Sequence, residues 1–196
     1  MLVAQAVKAC RIFLDRDQDG MDEQTEEIFK DIAAERENIV LIGMPACGKS
    51  TVGKALAQVL GKPFVDTDEE IVKETGKEIS QIFAEVGEEG FRKIESEIVR
   101  RIGNETCGSV IATGGGAILR DDNVRALKRT GTLYFLDRAL EYLLPTADRP
   151  LALTAEAVKR RYEERYDRYL AVCDRQIKID EVIDHTVETI RKDFLA

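Results

Sequence analysis

Gly43-Met-Pro-Ala-Cys-Gly48-Lys49-Ser50-Thr51 satisfies the pattern GxxxxGK[ST] in full and stands directly behind an apolar run of strand length, residues 38–42. An amphipathic stretch of helical period, residues 49–60, follows it. A strand, a glycine-containing turn and a helix in that order are an anion cradle. The glycines let backbone N–H groups turn inward, and the helix N-terminus adds the positive end of its dipole. A chance match in a chain of this length is on the order of 1%. Gly43, Ala46, Cys47, Gly48, Lys49, Ser50 and Thr51 therefore read as a nucleotide phosphate site. Lys49 is expected on the β- and γ-phosphates of ATP, and Ser50 is expected to give one oxygen to Mg2+. Ala46 occupies a position where such loops frequently carry glycine, and it is expected to keep a negative φ. Cys47, next to a helix N-terminus and Lys49, reads as a small filler residue, with the rival expectation of a reactive thiol whose oxidation or alkylation blocks nucleotide binding.

Around this motif, apolar runs of strand length alternate with longer stretches of helical period, which is the pattern of a parallel sheet covered by helices. Strands are expected at 38–42, 64–66, 109–113, 132–136 and 176–179. Helices are expected at 49–60, 69–75, 79–84, 87–101, 123–129, 155–166 and 184–194. An α/β fold with a central parallel sheet of about five strands follows. Residues 1–37 break the alternation. They offer helical stretches at 2–13 and 22–35 around an acidic turn, and they read as an appendage to a domain spanning 38–196.

Charge narrows the partners. The net charge is −8, and residues 15–37 hold ten acidic against three basic residues, so most of the excess lies in the appendage. No continuous basic stripe is present to neutralise a run of phosphates, which argues against nucleic acid. No apolar run approaches the roughly 18 residues needed to span a bilayer. The N-terminal stretch lacks the apolar core and cleavage site of a signal peptide, so a cytoplasmic chain is expected, and a monomer. The four cysteines are far apart, and His185 is the one histidine, so neither a zinc site nor a disulfide framework is indicated.

A phosphate loop does not name a reaction; the acceptor must be read from the rest of the chain. Asp66-Thr67-Asp68 closes the second strand at the sheet edge where ligands of open α/β folds bind. If that strand persists, both carboxylates point to one side, one toward a metal's water shell and the other toward an acceptor hydroxyl. In Gly90-Phe-Arg92-Lys-Ile-Glu95, Arg92 and Glu95 are three apart and face each other on one helical turn. Thr113-Gly114-Gly115-Gly116-Ala117 follows a strand, Arg149-Pro150-Leu151 follows a loop, and Arg165 lies late in a helix. Asp137, at another strand end, reads as a helix cap, with a metal ligand as the rival role.

In this order and spacing, GMPACGKST, FVDTD, GFRKIE, TGGGA, DRPL and ERYDRY closely resemble shikimate kinases, P-loop enzymes that phosphorylate the 3-hydroxyl of shikimate in aromatic amino acid biosynthesis. The resemblance covers residues 38–196. It implies that Asp68, Arg92, Gly114, Gly115, Gly116 and Arg165 hold shikimate, that Ser50 and Asp66 serve Mg2+, and that Arg149 reaches the phosphates. Lys49, Asp68 and Arg149 would be the catalytic set, Glu95 would fix Arg92, and Phe83 and Phe91 would wall the pocket. A small helical acceptor-binding subdomain near 69–101 and a lid over 138–148 are implied as well. The lid is short beside the family's, and Tyr-Asp-Arg-Tyr after Arg165 replaces the usual Pro-Leu-Tyr ending, leaving Asp167 and Arg168 without a role. Shikimate's carboxylate calls for guanidinium forks and its hydroxyls for acceptors and backbone donors, which is what these residues supply. The alternative acceptor is another hydroxylated metabolite such as gluconate. Arg92, Arg165 and the three glycines favour shikimate.

The first residues, Met1-Leu-Val-Ala-Gln5-Ala and the helical stretch after them, resemble the C-terminal end of shikimate dehydrogenases, which implies the remnant of a fusion. Residues 15–26 also satisfy the EF-hand loop formula, but Asp22 stands at a loop position that is normally apolar, and an acidic helix cap explains the same residues.

Overall fold

The computed structural model describes residues 28, 32, 34–143, 154–179 and 182–196. The chain divides into two units, Met1–Arg36 and Glu37–Ala196. In the first, residues 28, 32 and 34–36 are helical. The expected helix at 2–13, the Gln5 resemblance and the EF-hand loop lie outside the described residues.

The second unit alternates strand and helix. Its elements are β1 (Asn38–Ile42), α1 (Lys49–Leu60), β2 (Phe64–Asp66), α2 (Thr67–Thr75), α3 (Ile79–Glu105), β3 (Val110–Ala112), a 3-10 turn (Ala117–Leu119), α4 (Asp121–Lys128), β4 (Gly131–Asp137), a second 3-10 turn (Leu140–Tyr142), α5 (Ala155–Val172), β5 (Arg175–Lys178) and α6 (Ile183–Phe194). The five strands form one parallel sheet in the order β2-β3-β1-β4-β5. Ile39, Val40, Leu41 and Ile42 in the centre have no exposed surface, and neither do Val110, Ile111, Leu133 and Leu136. That explains why these strands read as unbroken apolar runs: a parallel sheet is covered on both faces. Among the described residues no helix is long and apolar enough to cross a membrane.

One polar residue belongs to this core. Asn38 is fully buried at the start of β1. Its Nδ2 donates to the Thr106 carbonyl (2.7 Å) and to Thr130 Oγ1 (3.0 Å), while its Oδ1 accepts from the Ser109 N–H (2.9 Å). A buried amide with every group paired fixes register where an unpaired one would cost about 1–3 kcal/mol.

Three differences from the sequence expectations have local causes. Helix α2 begins at Thr67 rather than 69, because Asp66 is its N-cap and accepts from the Asp68 N–H at 2.9 Å. The stretches expected at 79–84 and 87–101 form one helix, α3, kinked at Gly87, whose φ of 68° only glycine adopts without cost. Its start is set by a capping box between Glu78 and Gln81. Asp137 caps no helix. Its Oδ2 accepts from Tyr166 Oη (3.1 Å) and Gln176 Nε2 (2.8 Å), tying β4 to α5 and β5.

Candidate active site

Because β1, β3 and β2 are neighbours in register, the segments leaving their C-terminal ends meet at one edge of the sheet. These are the phosphate loop after Ile42, the glycine turn after Ala112 and the Asp66–Asp68 corner. The loops meet by direct bonds: Gly114 N–H donates to Thr67 Oγ1 (2.9 Å), and Thr113 Oγ1 to the Leu41 carbonyl (3.1 Å).

The phosphate loop is built on positive φ angles, 152° at Gly43, 64° at Ala46 and 98° at Gly48. Ala46 therefore corrects the expectation of a negative φ. Turning the loop inward demands the left-handed region at that position whatever the residue, at a cost of about 1–2 kcal/mol for a side chain with a Cβ. Gly43 is required for a further reason, since a Cβ there would lie 2.8 Å from the Leu136 carbonyl and 2.9 Å from Cys47 Sγ. Cys47 has no exposed surface, and its Sγ lies 3.7 Å from Lys49 Nζ. It fills the inside of the loop, away from solvent.

Lys49 is 6% exposed, and its Nζ donates to the carbonyls of Gly43 (3.0 Å) and Met44 (2.8 Å). Ser50 Oγ donates to Asp66 Oδ2 at 2.6 Å. The strand does not carry Asp66 and Asp68 to one side as expected, because α2 starts between them; the corner instead sends Asp66 to Ser50 and Asp68 toward the glycine turn. Ala46, Gly48, Lys49, Ser50, Thr51, Asp66 and Asp68 line a cavity of about 300 Å³.

A second cavity, about 240 Å³, opens beside the first, and Asp68 lines both. Its floor is Gly114–Gly116 and one wall is Phe83 stacked on Phe91, with centroids 4.4 Å apart. Arg92, 8% exposed, lies against Phe91 and donates to Glu95 Oε2 at 2.7 Å and to Glu88 Oε1 at 3.3 Å. Arg92 Nε is buried and has no partner among the described residues, so the guanidinium is held by Glu95 and Glu88 through Nη1 and Nη2. Glu95 is 1% exposed; burial pushes its carboxyl up, while the Arg92 guanidinium draws it back. The three glycines are needed for close approach. A Cβ at Gly114 would lie 2.7 Å from Asp68 Oδ1 and 2.8 Å from Glu95 Oε1, one at Gly115 would meet the Pro45 ring, and one at Gly116 would enter the Arg92 guanidinium.

Arg165, also 8% exposed, comes from α5 and donates from Nη1 to the Gly115 carbonyl at 3.3 Å. Arg168, three residues on, is fastened to the 3-10 turn and α4: its Nε donates to the Ile118 carbonyl (3.0 Å), and Nη2 pairs with Asp121. Asp167 is exposed. Arg149 and residues 144–148 of the expected lid lie outside the described residues.

Two residues of α5 escaped the sequence reading. Arg161 stands one helical turn before Arg165 and lines the same cavity. Burial and the adjacent Arg165 hold it below the usual arginine value, and burial and Arg92 do the same to Arg165. The lining sets Arg92, Arg161 and Arg165 against Asp68, Glu78 and Glu95 in one cavity. The i, i+4 spacing from Arg165 was the signal that could have found Arg161. Tyr169, a further turn on, was missed as well. Arg161→Leu is expected to raise the KM for an anionic acceptor about three- to tenfold with kcat within twofold, and to flatten its salt dependence. Steady-state kinetics at low and high ionic strength check this.

Comparisons with known proteins agree with this geometry. A family model described as shikimate kinase matches residues 45–194. The shikimate kinase of Clostridium botulinum (strain Alaska E43 / Type E3) is 40% identical over 161 residues, covering 80% of this chain and 96% of that relative. The solved shikimate kinase from Acinetobacter baumannii in complex with shikimate superposes with a TM-score of 0.79 at 30% identity, covering 85% of this chain and 97% of that one. A gluconokinase from Sinorhizobium meliloti shares the fold at a TM-score of 0.59 with 17% identity, covering 82% of this chain and 92% of that one. With its phosphate loop, glycine turn and arginine-lined cavity at one sheet edge, the chain belongs to the shikimate kinase family.

Proposed function

We propose that the chain transfers the terminal phosphoryl group of ATP to the 3-hydroxyl of shikimate, giving shikimate 3-phosphate and ADP. The observation that carries this is the position of Asp68 in the wall of both cavities, between a phosphate loop on one side and two buried arginines on the other. Arg92 and Arg165 grip the acceptor carboxylate, a task suited to planar forks. The Gly114–Gly116 turn allows the ring to lie against backbone, and Asp68 accepts a hydrogen bond from the acceptor hydroxyl and sets it in line. The new bond forms from that oxygen to the γ-phosphorus as the bond to the β–γ bridging oxygen breaks. The hydroxyl proton leaves late to Asp68, which need not be a strong base because the transition state is loose. Lys49 trades its carbonyl partners for phosphate oxygens and meets the charge that develops there. Arg149 is assigned to the phosphates by the family resemblance.

The hard-oxygen pair Ser50 Oγ and Asp66 Oδ2, already 2.6 Å apart beside the phosphate loop, fits Mg2+, which is bound through one or two carboxylates plus phosphates. When bound there, the ion supplies charge neutralisation at the phosphate oxygens. The family match begins at residue 45, which supports reading residues 1–37 as lying outside the catalytic domain.

A coupled ADP-release assay with shikimate, with gluconate and with no acceptor tests the proposal. Turnover is expected with shikimate, and kcat/KM for gluconate is expected to be at least about a hundredfold lower, because it offers no ring to the glycine floor and Phe83–Phe91 wall. Equal rates for the two acceptors, or ADP release indifferent to shikimate, would refute it.

A further inference from the structure

Helix α5 buries a hydroxyl that the proposed reaction does not use. Tyr169 has no exposed surface, and its ring is stacked on Phe135 with centroids 5.0 Å apart and planes 7° from parallel. Its phenolic oxygen lies 2.9 Å from the Gly43 carbonyl and 2.5 Å from the Gly115 carbonyl. The first carbonyl opens the phosphate loop; the second belongs to the floor of the acceptor cavity. A phenol has one proton, so it serves one of these acceptors at a time.

Each carbonyl has a second donor. Lys49 Nζ is 3.0 Å from the Gly43 oxygen, and Arg165 Nη1 is 3.3 Å from the Gly115 oxygen. Lys49, Tyr169 and Arg165 thus form one line of contacts between the two cavities, with a single shared proton at its middle. Burial keeps that proton on the phenol, pushing its ionisation far above the ordinary tyrosine value.

We propose that Tyr169 is a positioning residue whose hydroxyl proton moves between Gly115 and Gly43 as Lys49 engages nucleotide, coupling the phosphate loop to Arg165. The inference rests on the assignment of the two cavities above. When Lys49 turns to phosphate oxygens, the Gly43 carbonyl loses that donor and takes the phenol proton, since a buried carbonyl is costly to leave unpaired. The Gly115 carbonyl then depends on Arg165 alone and draws Nη1 inward. Its guanidinium is held at the cavity wall before the acceptor arrives, and that preorganisation tightens the binding of an anionic acceptor. Reciprocity requires the acceptor to tighten nucleotide by the same factor.

Calorimetric titration of shikimate with and without ADP, in the wild type and in Tyr169→Phe, measures the coupling directly. Phenylalanine keeps the stack on Phe135 and, before nucleotide binds, leaves both carbonyls a donor, so shikimate alone is expected to bind within about threefold of wild type, while ADP alone binds more weakly because Lys49 then leaves the Gly43 carbonyl unpaired. The wild-type factor is expected to be about fivefold or more, falling to near one in Tyr169→Phe. An equal factor in the two proteins, or a wild-type factor of one, overturns the proposal. Hydrogen exchange gives a second reading in the wild type alone: ADP by itself is expected to slow the amides of residues 113–117, and unchanged exchange there counts against the relay. Arg92→Ala separates this inference from the one beneath it. Loss of shikimate binding in that variant, together with equal coupling in wild type and Tyr169→Phe, keeps the acceptor site and discards the relay; unimpaired binding discards both.

Discussion

Lys49→Met is expected to cut kcat with shikimate by about a thousandfold, the upper range for removing one preorganised donor from a developing charge. Methionine matches the lysine stem in length and apolar character, so the loss isolates the ammonium. In the ligand-free fold that ammonium donates to the Gly43 and Met44 carbonyls, and losing it costs about 1–3 kcal/mol of stability. At this chain length that corresponds to a melting temperature lower by roughly 2–12 °C. The fold survives while the chemistry does not. Measured kcat together with a thermal melt separates the two effects, and a kcat within tenfold of wild type would remove Lys49 from the charge-stabilising role.

What the sequence made legible was whatever short-range chemistry encodes. β1, β2 and α1 lie at the expected residues because a buried parallel strand must be apolar throughout and a phosphate loop must be followed at once by a helix. Ends governed by side chains one or two positions outside an element were less legible. Asp66 acts as a cap only because the chain turns there, and Gly87 bends a helix that its composition suggested would end. The polar network around Asn38 joins residues 68 to 92 positions apart, beyond the reach of any periodicity.

The acceptor cavity divides in the same way. Arg92 and Glu95 were legible because a helix turn brings i and i+3 together, and the structure gives them a 2.7 Å contact. Arg161 and Tyr169 were not, although they share a stripe with Arg165 at four-residue spacing. A charged or aromatic residue on a helix is usually solvated surface or core, and only the fold reveals that this stripe faces the glycine turn and the phosphate loop. Ala46 takes a positive φ against its residue preference because loop geometry decides there.

Arg92→Ala is expected to raise the KM for shikimate roughly 30- to 100-fold, the cost of losing charge-assisted hydrogen bonds of about 2–3 kcal/mol, with the KM for ATP nearly unchanged. It carries a second, separable penalty. Glu95 is 1% exposed, and removing its partner leaves a buried carboxylate uncompensated, a change worth about 3–5 kcal/mol, or roughly 10 °C in melting temperature. This penalty depends on pH with a definite sign. Burial already pushes the Glu95 carboxyl up, and without Arg92 to draw it back the carboxyl rises further. The folded variant then holds a proton that the unfolded chain releases in the ordinary carboxylate range. Its stability relative to wild type is greatest below that range and falls as pH rises through the elevated folded-state value. Melting curves from about pH 5 to pH 8 are therefore expected to show a deficit that widens toward neutrality. In Arg92→Ala/Glu95→Ala that pH dependence is expected to flatten, because no buried carboxylate remains to ionise, while the raised KM persists. A deficit independent of pH in the single variant would mean that Glu95 finds another charge partner. A KM restored by the double variant would mean that Arg92 serves Glu95 rather than the acceptor.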